Sequence, residues 1–337
     1  MNEINDGTFN QMLMRLTERQ QATVLNVLEN LEKNNSLMWK QGWSFGNNPD
    51  CYGSPMNPIT KVTYSGINSI CLTTQGYSDP RWLTLQQIEK AGYIFRDGLS
   101  DEVLKRGVKI EFSLFYDRQT KKPFDQGASN IATMSPKDRS AYIRENVVRP
   151  FRSYTVYNAS LLENITPFIV TNANKIKRDE ALEAILSASE APIYYDGYKG
   201  AYYSLNSDTI HLPPRGTFKS ASDFYGVALH EIGHSTGHGS RLKRNLGYPQ
   251  NSEPYALEEL RAEFASIVIG AKYGLSLTDE HIKNHAAYIA NWRECIIKDP
   301  LSLINALKDA CKIAQYVEGF VKAKSKPQEK QKQIIAI

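Results

Sequence analysis

The 337-residue chain contains no apolar run of about 18 residues, so no segment reads as an apolar helix crossing a membrane. Cysteine is scarce. Cys51, Cys71, Cys295 and Cys311 stand apart, without a CxxC pair, which argues against a disulfide framework and a cysteine-built zinc centre. They read as reduced thiols. No charge of one sign dominates: 40 basic against 36 acidic residues leave a net +4, which neither demands nor excludes a nucleic-acid partner. Histidine is missing from the first 210 residues altogether. The opening MNEINDGTFNQMLMRL lacks the basic-then-apolar order of a secretory leader, so the expected compartment is the cytoplasm.

What is present suits a globular protein: 41% hydrophobic and 23% charged residues, in a length that suggests two domains at about 150 residues each. From Thr8 to about Lys33, Phe9, Leu13, Leu16, Val24, Val27, Leu28 and Leu31 recur at helical spacing, predicting one amphipathic helix. An Asn-, Pro- and Gly-rich loop follows over Gly46–Pro58. Thr84 is placed to cap a short helix to Lys90, with Gly92 to end it. Strands are expected over Tyr93–Arg96, Val108–Tyr116 and Ser153–Tyr157, the second from its alternating apolar positions. Thr120–Met134 is polar and reads as an insertion loop.

The expected fold class is α+β. A helix with a small sheet fills residues 1–165, an Asn-rich linker covers Asn164–Lys177, and a mainly helical unit spans 176–321. In that second unit a helix is expected over Arg178–Ser189 and a strand, turn, strand over Ala201–Leu212. Three or four helices then run to about Val321, and a basic tail, 322–337, is expected to be disordered.

The chemistry concentrates in SASDFYGVALHEIGHSTGHGSRL. Ser220 and Asp223 resemble a helix-capping pair, and Gly237 a helix stop. Residues four apart on a helix differ by about 40° in rotation and about 6 Å in rise, so His230 and His234 share a face and can hold one ion. Glu231, rotated by about 100°, can take a proton from water beside that ion. This HExxH pattern predicts one zinc ion, with another divalent metal possible. Chance histidines on a solvated helix are the plainer alternative. The apolar Val227, Ala228 and Ile232 around the motif argue for burial, and buried histidines need partners.

A third ligand is required. Ser240 stands where metzincins carry their third histidine, and Gly237 separates His238 from the helix, so that variant is disfavoured. The better source is SEPYALEELRAEFASIVIGAKYG, where Ser252 and Pro254 mark a helix start. Glu259 and Glu263 fall four apart on a small-residue face. Glu259 is the expected ligand and Glu263 the acceptor of a ligand histidine's outer N–H, with Glu263 as the alternative ligand. Glu258 reads as part of a solvated acidic face. The Tyr202–Leu212 hairpin reads either as a core element or as an edge that pairs with an extended peptide.

Together these segments resemble ArdC-type antirestriction proteins of mobile elements, over about residues 10–318. FYGVALHEIGHSTGHGSRL, YALEELRAEFASIV and HAAYIANWRECIIKDPLSLINALKDA carry the resemblance in the second half. NPITKVTYSGINSICL, DPRWLTLQQIEKAGYIFRDG and YTVYNASLLEN carry it in the first. The resemblance implies a single-stranded DNA-binding domain, shared with certain conjugative plasmid primases, joined to a zincin-like metallopeptidase domain. Such proteins are thought to protect incoming plasmid DNA from restriction. The motif residues are His230, Glu231 and His234, and Glu259 with Glu263 occupy the acidic helix. The polar stretch around Thr120–Met134 departs from the family's more compact pattern.

Lys61, Tyr64, Asn68, Arg81, Trp82, Tyr93 and Arg96 interleave rings and cations as single-stranded DNA binding requires. Core packing is the alternative for Tyr64 and Trp82. Two other functions stay open: a regulatory zinc protease recruited to a protein partner, and a DNA-binding module whose metal is structural. A protein substrate is possible, no membrane partner is expected, and oligomeric state is not legible.

Overall fold

The computed structural model describes residues 7–34, 54–113, 115–122, 124, 131, 133–148, 151–168, 172–250, 252–275 and 289–324. Cys51, most of the Gly46–Pro58 loop, much of the Thr120–Met134 stretch and the tail after Lys324 lie outside them. The architecture is α+β. Among the described residues no helix is long and apolar enough to cross a membrane.

The first helical stripe forms two helices, α1 (Gly7–Leu13) and α2 (Glu18–Asn34). The amide of Gln20 donates to Thr17 Oγ1, and the amide of Thr17 donates to Gln20 Oε1. That reciprocal cap starts a helix afresh, which is why the expected single helix is interrupted. Helix α3 (Ile67–Thr73), strand β1 (Trp82–Thr84) and helix α4 (Leu85–Lys90) follow, and Thr84 with Gln87 forms the full capping box on α4. Tyr93–Arg96 makes a single bridge, Phe95 to Leu162, and not a strand.

After α5 (Asp101–Lys105), the strand expected over Val108–Tyr116 divides into β2 (Val108–Ser113) and β3 (Tyr116–Asp117). Helix α6 (Pro136–Asn146) leads into β4 (Val147–Val148) and β5 (Phe151–Asn158). The division follows the pairing: β2 joins β5 in an antiparallel sheet ordered β1-β5-β2, while β3 pairs with β4. Period-two alternation gives this sheet two faces. Trp82, Ile110 and Val156 pack with Tyr64 and Leu72 on one. Leu83 and Tyr157 pack with Ile88, Phe95 and Leu162 on the other.

The second half opens with α7 (Asn172–Ala188), which begins six residues before the expected Arg178. Its Asn-rich, basic start was expected to be linker, yet no glycine or proline interrupts it. Strands β6 (Ile193–Tyr194), β7 (Tyr202–Ser204) and β8 (Thr209–His211) form a small sheet ordered β6-β8-β7. Four helices complete the described chain: α8 (Ala221–Ser235), α9 (Glu253–Lys272), α10 (Ile289–Lys298) and α11 (Pro300–Lys324).

The main core does not follow chain order. Phe9, Leu13, Val24, Val27, Leu28 and Leu31 of α1 and α2 are buried in the same cluster as Leu182, Phe264, Trp292 and Leu307 of the second half. The β1-β5-β2 sheet is fastened to α2 by Arg19–Glu111 at 3.0 Å and Lys109–Glu18 at 2.6 Å. The N-terminal helices thus belong physically to the helical layer that carries the histidine motif.

Candidate metal centre

Helix α8 starts where Ser220 accepts the amide of Asp223, and nearly every residue from Asp223 to Ser235 is buried. It crosses α9 at Gly233, where an added Cβ would stand 3.3 Å from Ala262 Cα. That is tighter than ordinary van der Waals contact, so glycine suits so close a crossing. Ala262 lies between Glu259 and Glu263, so the crossing presents both carboxylates to the histidines of α8.

The nitrogens His230 Nε2 and His234 Nε2 face each other at 3.1 Å, with the rings nearly perpendicular at 85°. Glu259 reaches both, 3.4 Å from His230 Nε2 and 3.5 Å from His234 Nε2. These three side chains each offer a ligand atom, all within 4.8 Å of one another. On the outer side, His230 Nδ1 lies 3.3 Å from Glu263 Oε2 and His234 Nδ1 lies 3.3 Å from Glu258 Oε1. His234 Nδ1 donates to Glu258, and His230 Nδ1 faces Glu263 at ion-pair distance, an arrangement that directs both Nε2 atoms at each other and at Glu259. Three converging acceptors require a cation or protons between them. The donor set, two imidazoles and a carboxylate, fits a divalent ion.

The protonation states carry the same message. Burial by itself would depress the His230 imidazole, yet the Glu259 and Glu263 carboxylates overcome that and hold its pKa well above the ordinary value. His234, also desolvated, is lifted by Glu258 and Glu259 to about 9. Glu259 is pulled far below the usual carboxylate range against its own burial, by hydrogen bonds from both histidines. The pocket attracts positive charge.

Glu258 is buried, contrary to the expected solvated face. Its oxygens accept from Arg244 at 2.8 and 3.1 Å, and Arg244 also donates to Thr236 Oγ1 and the Gly233 carbonyl. Arg241 bonds both oxygens of Asp208, at 2.8 and 2.6 Å, and the Ser235 carbonyl at 2.7 Å. Asp208 sits in the β7–β8 turn with φ of 53° and also accepts from Tyr203. This pair of arginines ties the end of α8 to α9 and to the hairpin. The SRLKR stretch after the motif was the available signal, and composition alone does not say which carboxylate each arginine takes.

His238 turns away from the ligand pair and bonds Ser240 Oγ at 2.8 Å. A cleft of about 220 Å³ opens over His230, Glu231, His234 and Glu259, walled by Tyr202, Leu246 and Tyr248 among others. A larger cavity of about 660 Å³, lined by Asn26, Gln75, Arg106 and Phe264 among others, lies apart from these ligands, between the sheet and the helical layer.

The expected DNA-contact set disperses. Trp82 is 1% exposed and Tyr64 7%, both inside the sheet's core, so neither offers a ring face to a base. Asn68 is buried, and its side chain exchanges hydrogen bonds with the Glu111 backbone at 2.7 and 3.1 Å. Arg81 is engaged by Asp79 at 2.6 Å, and Tyr93 packs beside the second cluster. Lys61 is exposed, as is Arg96, whose guanidinium bonds the Ser160 carbonyl. Among the described side chains, the exposed rings of this sheet are instead Phe112 and Tyr154, with centroids 5.9 Å apart and the exposed Arg152 opposite Phe112. The missed signal was alternation: Tyr154 and Arg152 extend the face of Val156 beyond the core.

Comparison with known proteins decides the relationship. Residues 17–157 match the family model of the N-terminal domain of anti-restriction factor ArdC, and residues 180–309 match that of a zincin-like metallopeptidase. The two matches stand in the order of an ArdC-type N-terminal domain followed by a zincin-like metallopeptidase domain. The crystal structure of antirestriction ArdC protein from the R388 plasmid, metal-free, aligns over 91% of this chain and 98% of its own, with TM-score 0.60 and 24% identity. Its Mn(II)-bound structure aligns over 90% and 97%, with TM-score 0.58 and 24% identity. A DNA primase TraC of Escherichia coli is 36% identical over 88% of the chain. This chain spans 27% of that primase's length.

Proposed function

We propose that this chain is a cytoplasmic antirestriction protein of a mobile element, which binds single-stranded DNA through residues 1–165 and carries a zinc-dependent metallopeptidase-type site within residues 176–321. The observation that carries the reading is the convergence of His230 Nε2, His234 Nε2 and Glu259 under an open cleft. Similarity to R388 ArdC, one of whose structures is Mn(II)-bound, supports a divalent ion there.

In this reading His230, His234 and Glu259 hold the ion, and Glu263 and Glu258 fix the two imidazoles by accepting their Nδ1–H groups. A divalent ion bound there supplies Lewis-acid polarisation to the reaction. Glu231, on the wall of the cleft, takes a proton from an incoming water and returns it to the departing amine. Strand β7 pairs only with β8 among the described residues, so its outer edge offers main-chain groups to an extended peptide. On the first half, Phe112 and Tyr154 stack bases and Arg152 neutralises phosphate.

Metal analysis of chelator-free full-length protein should find one ion per chain, retained in Glu231→Gln and lost in His234→Ala. Protection of transferred DNA in a restricting host should fall in Glu231→Gln. Full protection by that variant would leave the ion a structural role only. Gel shifts of the full chain should show a salt-sensitive preference for single over double strands, and equal shifts would remove the DNA half of the reading.

A further inference from the structure

The small sheet over the metal cleft carries a row of stacked rings on its outer face. Register places Tyr194, His211 and Tyr202 opposite one another across β6, β8 and β7. The alternate row, Ile193, Ile210 and Tyr203, packs into the main core. The outer rings are nearly parallel: Tyr194 to His211 at 5.6 Å and 24°, His211 to Tyr202 at 4.7 Å and 12°. Hydrogen bonds joining its two ring nitrogens to Asp196, at 2.7 Å, and to Thr209 Oγ1, at 2.9 Å, fix the central imidazole.

The row ends at an open edge. Tyr202 has its inner face on His211, is 51% exposed, and belongs to the strand that has no partner on its far side among the described residues. It also lines the cleft above His230 and Glu231. A strand added beside β7 would lie about 4.8 Å away. The Tyr202–His211 ring separation, 4.7 Å, has that same pitch. A planar side chain on the added strand, opposite Tyr202, would continue the stack.

We propose that Tyr202 selects peptides by stacking, so that the segment seated on β7 carries an aromatic side chain at the position facing Tyr202. The inference rests on the peptidase reading of the cleft and names its substrate class. The open edge of β7 decides the occupant between a peptide and a nucleic acid. Its outward main-chain N–H and C=O groups can pair with the amides of an extended peptide, and a sugar–phosphate backbone offers no matching donors. Cross-strand aromatic pairs are favoured over aliphatic ones on one face of a sheet.

The test uses the metal-loaded, full-length Glu231→Gln protein, which keeps peptides intact during titration. Blocked hexaalanine peptides with Trp, Tyr or Leu at the third position are titrated by ligand-observed NMR. Trp and Tyr peptides should bind about three- to tenfold more tightly than the Leu peptide. Adding Tyr202→Ala should erase that difference and leave the Leu peptide's affinity in place, whereas Tyr202→Phe should keep the difference. Equal binding of Trp and Leu peptides, or a preference that survives Tyr202→Ala, overturns the assignment while the peptidase reading stands. Failure of every peptide to bind overturns both. Loss of oligothymidylate binding in Tyr202→Ala, with peptide binding unchanged, would assign the row to bases and overturn the proposal.

Discussion

Gly233 on α8 meets Ala262 on α9 so closely that a Cβ at position 233 would stand 3.3 Å from the Ala262 Cα. The three carboxylates around the histidines, Glu258, Glu259 and Glu263, all come from the helix held at that distance. A branched side chain at 233 would push the two helices apart and lengthen every ligand distance together. Gly233→Val should cost about 1–3 kcal/mol of stability by overpacking and lower metal occupancy well below one ion per chain. Thermal denaturation with metal analysis reads both, and unchanged occupancy would show that the crossing does not set the ligand geometry.

Metal uptake should release protons. Without the ion His234 titrates near 9, and His230 is raised as well. The ordinary histidine value is 6.5, so the protonated His234 stabilises the metal-free fold fully below about 6.5. That contribution disappears as pH rises through about 9. An incoming cation must displace the same proton, so affinity should climb by about tenfold per pH unit for each proton released, and the His234 share of that slope should end above about pH 9. Calorimetric titrations in buffers of different ionisation enthalpy count the protons. An affinity flat from pH 6.5 to 9 would contradict the charge arrangement described here.

Much of the centre was legible because its logic is local. HExxH on an apolar helix places two imidazoles on one face by helical spacing, and a second helix with Glu259 and Glu263 on its small-residue face brings carboxylates to them. Glu258 escaped because its environment is not local: burial depends on Arg244, fourteen positions earlier, curling back after α8. The break at Thr17 was also available in the sequence, as a Thr-x-x-Gln cap inside an otherwise continuous stripe. What no periodicity could show is that α1 and α2 pack on helices from the far end of the chain. For the same reason Trp82 and Tyr64 looked like stacking rings, since an aromatic beside a cation has one pattern whether it faces solvent or core.

The Arg244–Glu258 pair should be costly to break from either side. Glu258 is buried, with Arg244 and His234 as its nearest cations. Arg244→Met leaves that carboxylate short of its main partner and also removes the bonds to Thr236 and Gly233. A loss of about 3 kcal/mol is expected in denaturant unfolding, with weaker metal binding as His234 loses its orientation. If Arg244→Met unfolds like the parent protein, the pair is a bystander.

The proposed single-stranded DNA face can be tested by contrast within one sheet. Phe112 and Tyr154 are 38% and 39% exposed, while Trp82 on the same face is 1% exposed. Phe112→Ala or Tyr154→Ala should weaken binding of an oligothymidylate by about 1–3 kcal/mol each, roughly 5- to 160-fold, with little change in unfolding midpoint. Arg152→Ala should weaken it more modestly and reduce the slope of log affinity against log salt by about 0.7, the single-strand value for one phosphate. Trp82→Phe should do the opposite, lowering stability and leaving the affinity of the folded fraction intact. If the exposed rings prove silent and Lys61→Ala or Arg96→Ala carries the loss, the strand crosses the loops at the sheet's margin and not its open face. The affinities are measurable by fluorescence anisotropy on the full-length chain, which keeps α1 and α2 on their core partners in the second half.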